Sequence, residues 1–216
     1  MILSGSSSLE GREHSATMAT RSASRSASGL DVLAELLSSR VRAAVLGFLV
    51  AREDARFSLT ELARHLALPI SSVQHECYKL ERLKVLRGRR EGVSRRYWLD
   101  RETPFVRELI DLVLAVAGRE QLLTYAMLDF DGLHGALLTV DTTPSLVLVG
   151  ELGLEELEAA QERTAAIFDV SVTAVDLAFF RPAEWQEHCA SDHPGVERLR
   201  NADVTIVAGD GTVWPA

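Results

Sequence analysis

The sequence predicts an α+β fold in two parts, and three observations predict it. Two closely spaced helix-start signals, Ser58-x-x-Glu61 and Ser71-x-x-Gln74, frame two short helices around a turn that contains Pro69. Residues 86–100, LRGRREGVSRRYWLD, then carry a β-hairpin pattern around Gly92. From Leu133 onward, short apolar runs alternate with helical segments, the mark of an α/β layer arrangement. With 216 residues and 47% hydrophobic composition, the chain can bury a sizeable core.

The net charge of -8 is unevenly placed. Residues 1–102 hold 17 Lys+Arg against 12 Asp+Glu, whereas residues 103–216 hold 6 against 19. Such an asymmetry suggests that the basic half faces something negative. Cys77 and Cys189 lie far apart and form no C-x-x-C pattern, which fits reduced thiols in a cytoplasmic protein. No run of 18 apolar residues is present, so no membrane partner is expected. Residues 1–29 are rich in Ser, Arg and Gly and lack the apolar centre of a secretory signal. They read as a disordered tail, within which either Met1 or Met18 is the start.

In the basic half, Val41, Val45, Leu46, Phe48 and Leu49 give an apolar face to a helix ending near Ala51. A helix from Leu59 to Leu66, a turn over 67–70 and a second helix from Ser72 to about Leu83 make a helix-turn-helix. On that second helix Val73, Cys77 and Leu80 share one face, which should dock on the first helix. Ser72, His75, Lys79 and Arg82 share another, which carries donors and cations and no acid. A helix entering a DNA major groove needs such a face, because its side chains must reach base edges without repelling phosphates. In the hairpin, Gly92 supplies the positive φ of the turn. Tyr97 and Leu99 fall on one face of the returning strand, and Arg96 and Trp98 on the other.

A basic hairpin directly after a recognition helix is the wing of a winged helix. Residues 37–101, including FSLTELARHLALPISSVQHECYKLERLKVLRGRREGVSRRYWL, resemble the arsenic-repressor-like winged helix-turn-helix transcriptional regulators. The resemblance implies binding to double-stranded DNA by a homodimer. The DNA-binding residues expected are Ser71, Ser72, Gln74, His75, Lys79 and Arg82 on the helix, with Arg87, Arg89, Arg90, Arg95 and Arg96 on the wing. The winged-helix domain spans residues 30–102. Connecting or dimerisation helices follow over 103–130, the first presenting Phe105, Leu109, Leu112, Val113 and Val116 and the second running from Glu120 to Leu128.

Residues 131–216 make the second domain. Strands at Leu133–Val140 and Leu146–Val149 flank the turn Asp141-Thr142-Thr143-Pro144. A helix over Leu152–Phe168 and a strand around Val170–Phe180 come next, then helices near Pro182–Cys189 and Pro194–Arg200 and a strand at Val204–Ala208. The segments SLVLVGELGLEELEAAQERTAAIF, FFRPAEWQEH and HPGVERLRNADVTIVAGD resemble the minimal nucleotidyltransferase domain. Active members of that family hold metals with an Asp-x-Asp pair and the triphosphate with a Gly-Ser loop. Here Thr143 and Ser145 occupy the carboxylate positions, and no Gly-Ser pair lies between Val140 and Leu146. A hydroxyl does not replace an ionised carboxylate as a Mg²⁺ ligand. This half therefore reads as a small α/β nucleotidyltransferase-like domain lacking catalytic motifs. No enzymatic activity, cofactor or metal is expected of it.

His188, Cys189 and His193 lie close in sequence, but a lone H-C-x-x-x-H has no established ligand geometry. Trp185 and Trp214 read as packing residues more readily than as pocket walls, Cys77 as a buried hydrophobe and His65 as a partly exposed helix residue. The acidic half is expected to dimerise, or to bind a protein partner or small effector. Two alternatives to the regulator are a protein–protein or antitoxin-like module and, further off, a divergent nucleotidyltransferase.

Overall fold

The computed structural model describes residues 28–52, 55–191 and 193–209. Most of the expected N-terminal tail, with both candidate starts, lies outside them, as does Trp214. Two helices open the described chain, α1 (Gly29–Leu37) and α2 (Arg40–Val50), capped by Ser28 and Ser39. A short strand β1 (Phe57–Ser58) leads into α3 (Leu59–His65) and α4 (Ile70–Arg82). The hairpin follows as β2 (Leu86–Glu91) and β3 (Ser94–Leu99), and β1 adds to it, so the sheet order is β1-β3-β2.

The capping box at the head of α3 forms as its sequence requires. Ser58 Oγ accepts from the Glu61 amide, and Glu61 accepts from the Ser58 amide at 2.7 Å. The one expected at Ser71 does not form. Pro69 is the N-cap of α4, and its carbonyl accepts from the amides of Ser72 and Val73, so Ser71 and Ser72 lie inside the first turn. Pro69 starts the helix early because its fixed φ, here -58°, already suits a helix entry. Ala67, in the turn between α3 and α4, takes a φ of 51°, a left-handed conformation for a residue with a Cβ.

Two helices, α5 (Val106–Ala117) and α6 (Arg119–Met127), carry the chain to a second sheet. Its strands are β4 (Leu133–Val140), β5 (Pro144–Gly150), β6 (Asp176–Phe180) and β7 (Val204–Ala208), in the order β6-β5-β4-β7. Only the β5–β6 pair is parallel. The crossover between them is α7 (Leu154–Phe168). The strand expected from Val170 starts at Asp176, because residues 172–174 form a 3₁₀ turn first. Helices α8 (Pro182–Ala190) and α9 (Pro194–Arg200) precede β7.

Alternation along β4 and β5 sorts their side chains between two apolar clusters. Leu138, Leu146 and Leu148 join a core that includes Ile167 and Phe168 of α7 and runs on through α6, α5 and α2 to Leu80 and Tyr97. Leu137, Val147 and Val149 face the other way, onto Trp185 and Val196 of α8 and α9. The larger core is continuous from the helix-turn-helix to the second sheet, which ties the two halves together.

Candidate nucleic-acid interface

Helix α4 is held by its apolar stripe. Val73 and Cys77 are fully buried and Leu80 nearly so, leaving the opposite side to solvent. Ser71, His75, Tyr78 and Arg82 are exposed, and Ser72, Gln74 and Lys79 half-buried on the flanks. The spacing i, i+4, i+7, i+11 places Ser71, His75, Tyr78 and Arg82 along one line, the centre of the outward face. Tyr78 joins this line in addition to the residues expected from the sequence. Its hydroxyl accepts from Gln74 Nε2 at 3.2 Å, and that spacing was its available signal.

Glu76 lies at the edge of the buried stripe and anchors the helix. Its carboxylate accepts from Arg42 of α2 at 2.9 Å and from Lys79 at 3.3 Å. Burial pushes its pKa up, but the Arg42 and Lys79 hydrogen bonds and charges outweigh burial and leave it below the ordinary carboxyl value. Lys79 is therefore partly engaged within the helix. Cys77 beside it has a thiol pushed up to about 12, by burial first and then by Glu76 and Glu81.

The wing is a two-stranded ladder turned at Gly92, whose φ is 61°, with Val93 almost wholly exposed at its tip. Tyr97 and Leu99 point into the core and Arg96 and Trp98 away from it. The five wing arginines divide into two sets. Arg87 pairs with Asp100 at 3.0 Å and Glu102 at 2.7 Å, Arg96 with Glu61 at 2.8 Å, and Arg95 with Glu81 of α4. Gly88 makes the last contact possible, since a Cβ there would come within 2.7 Å of both Arg95 Nε and Glu81 Oε1. Arg96 also donates to the Arg56 carbonyl at 3.1 Å, and the Arg56 guanidinium lies 4.5 Å over the Trp98 ring. The Arg95 and Arg96 contacts fix the wing to α4 and α3, and Arg87 is held by the segment that follows β3. Arg89 and Arg90, with Arg82 on the helix, are exposed and carry no ion pair among the described residues.

The result is a fixed cationic edge beside an outward helix face bearing hydroxyl, amide, imidazole and guanidinium groups. It can donate to phosphate oxygens from the wing and to base edges from α4. The other candidates lie elsewhere. His188 and His193 meet with ring centroids 4.3 Å apart, yet no group of three His, Cys, Asp or Glu comes together as a metal site among the described residues. Trp185 is buried against Phe180 and also stands in the wall of a cavity of about 260 Å³. His65 stacks on Phe48, and its pKa is lowered by burial, then by Arg52 and Arg64. No described helix is long and apolar enough to cross a membrane.

Among solved structures, the chain is similar to reduced HlyU from Vibrio cholerae N16961, at 24% identity over 40% of this chain and 86% of that one, with a TM-score of 0.32. It is also similar to HmgR from Pseudomonas aeruginosa, at 19% identity over 55% of this chain and half of that one, with a TM-score of 0.27. No protein-family model and no curated protein matches the sequence.

Proposed function

We propose that the chain is a sequence-specific, double-stranded DNA-binding transcriptional regulator acting in the cytoplasm. The observation that carries this reading is a basic wing tied to α4 through Arg95 and Glu81, with Arg89 and Arg90 exposed and unpaired among the described residues, next in sequence to a helix whose outward line is Ser71, His75, Tyr78 and Arg82. In this reading Ser71, Ser72, Gln74, His75 and Tyr78 read base edges in the major groove, with Lys79 and Arg82 at its border. Arg89 and Arg90 bind phosphates or the adjacent minor groove, while Arg87, Arg95 and Arg96 hold the wing in place. Phosphate contacts make the affinity steeply salt-dependent.

One such module covers little DNA, so the regulator acts as a homodimer on a two-fold related site. What supports this is exposed apolar side chains on α1 and at α5, two helices that pack together. Val32 and Leu36 of α1 are 44% and 58% exposed, and Phe105 and Leu112, the latter on α5, are 50% and 36% exposed. The C-terminal half is a non-catalytic nucleotidyltransferase-like module. Thr143 and Ser145 stand at the positions of the expected carboxylate pair, and Ser145 donates to Asp176 at 3.2 Å, which supports a non-catalytic reading because one acid beside a hydroxyl does not replace a carboxylate pair. Incubation with labelled nucleoside triphosphates and Mg²⁺ should give no transfer.

Fluorescence anisotropy against selected genomic fragments tests the main reading. Salt-sensitive binding that survives competitor DNA supports it, and no retention of any fragment at low salt refutes it. A second reading, a protein-binding module, is favoured by the exposed Ile70, Tyr78, Leu83 and Val93 around the same face. Retention of DNA at low salt separates the two.

A further inference from the structure

The second sheet carries a cavity of about 260 Å³ on the face turned away from the main core. Parallel pairing sets Ser145 of β5 beside Asp176 of β6, and Val147 beside Ala178 on the same face two residues further on. Val147 and Ala178 line the cavity from the sheet, and Phe180 and Trp185, with ring centroids 5.3 Å apart, add an aromatic wall. Helix α9 packs on this face through Val196 and brings Arg198 to the same space. One small, mostly apolar cavity is thus lined by a carboxylate and a guanidinium. Ser145 Oγ donates to Asp176 Oδ2 at 3.2 Å, and Oδ1 has no partner among the described residues. Arg198 engages only Nε, which donates to the Pro194 carbonyl at 3.4 Å. Both charged side chains are accessible to a ligand, since Asp176 and Arg198 are exposed residues. Neither enters an ion pair among the described residues, so they do not neutralise each other.

We propose that this cavity binds a free α-amino acid with an apolar side chain, its ammonium group on Asp176 and its carboxylate on Arg198. The charges select a zwitterion. A bare amine leaves Arg198 unmatched, and a bare carboxylate meets Asp176 as a like charge. The aromatic and aliphatic wall takes the side chain. Pockets for drug-sized ligands run to about 300–1,000 Å³, so a cavity smaller than that suits a small metabolite rather than a nucleotide. Asp176 also repels a triphosphate. Bound there, an amino acid bridges β6 to α9 through its two charged ends.

The test is a thermal-shift and calorimetric titration of the full chain, read without DNA and therefore independent of the regulator reading. L-leucine and L-phenylalanine serve as probes. Isopentylamine and 4-methylpentanoate, which are leucine without its carboxylate and without its ammonium group, serve as controls. Saturable binding of at least one amino acid is expected, with each control weaker by about tenfold or more, the weight of a charged hydrogen bond. Asp176→Asn and Arg198→Gln alter exposed side chains, so both should fold, and each should weaken amino-acid binding by a similar factor. Ala178→Leu fills the cavity and should abolish binding; if that variant fails to fold, the two charge variants still decide. Absence of saturable binding of either amino acid overturns the proposal. So does equal binding of a control compound, which would leave one of the two charges idle, and so does unchanged affinity in either charge variant or in folded Ala178→Leu.

Discussion

Arg89 stands directly opposite Arg96 in the β2–β3 ladder, and Arg90 opposite Arg95 on the next rung. Like charges facing across a ladder are destabilising. The fold relieves the β3 member of each pair with an acid from the helices, Glu61 for Arg96 and Glu81 for Arg95. The β2 members have no such acid among the described residues, and the proposed reading assigns them to DNA phosphates. Replacing Arg89 and Arg90 by Ala should therefore weaken DNA binding for all sequences and flatten the salt slope by roughly one unit per lost phosphate contact, with stability held or slightly raised. Arg96→Ala should instead lower stability by about 1 kcal/mol, since it frees the half-buried Glu61. Anisotropy titrations over a salt series, with urea melts of both variants, separate the two roles; equal effects of the two substitutions on DNA affinity would refute the division.

Tyr78 and His75 sit in line at the centre of the outward face of α4, so they should govern which sequence is bound more than how tightly DNA is held. Tyr78→Phe removes only the hydroxyl that accepts from Gln74 and should leave the melting temperature unchanged. Selection of bound fragments should show a shifted base preference, with a mismatch penalty changed by about 1–3 kcal/mol at one position. An identical selected motif would remove Tyr78 from the reading surface.

Much of this was legible in the sequence, because local chemistry decides it. The Ser58–Glu61 box, the Gly92 turn and the inward Tyr97 and Leu99 follow from spacing alone, and so does the alternation of strands and helices after Leu133. At Ser71 the capping-box pattern competes with Pro69 over the same few residues, and Pro69 starts the helix. The division among the wing arginines was not legible at all. Arg96 meets Glu61 across 35 positions of sequence, and such pairing is a product of the tertiary fold. The cavity that Asp176 and Arg198 both line is hidden for the same reason, since β6 and α9 meet only in the folded chain.

Acid should loosen the helix-turn-helix. For Glu61, burial raises the pKa, but the Ser58 hydrogen bonds and Arg96 outweigh it and leave it lowered, the same net direction as Glu76. A lowered folded pKa contributes stability that is present above the ordinary value of 4.5 and is lost as pH falls through the folded value. Glu76→Gln should cost about 1–3 kcal/mol at pH 7, and the deficit should shrink on acidification below about pH 4.5. Urea midpoints across that range read it directly; a deficit constant with pH would contradict the ionised anchor.

The turn between α3 and α4 holds Ala67 in a left-handed conformation that a Cβ disfavours by about 1–2 kcal/mol. Ala67→Gly removes that strain but adds up to about 1 kcal/mol of unfolded-state entropy. The net expectation is a gain of about 0.5–1 kcal/mol, seen as a higher urea midpoint. The side chain is exposed, so no packing is lost in exchange. A lower midpoint would mean that the turn relaxes its φ in solution.

Thiol reactivity offers a check on the docking of α4 that needs no DNA. Cys77 is fully buried on the docked face of α4 and its thiol is pushed up to about 12, while Cys189 is half-buried and raised less. The thiolate is the reactive form, so both burial and pKa slow Cys77. In native protein at pH 8, a disulfide reagent should modify Cys189 first. Cys77 should react only through opening of the helix-turn-helix, at a rate that rises with urea. Substituting Glu76 should speed Cys77 labelling selectively, because the Arg42 clamp that holds α4 against α2 is then broken. Equal labelling of the two thiols in native buffer would show that α4 is not docked through Val73, Cys77 and Leu80, and the outward face assigned to DNA would have to be redrawn.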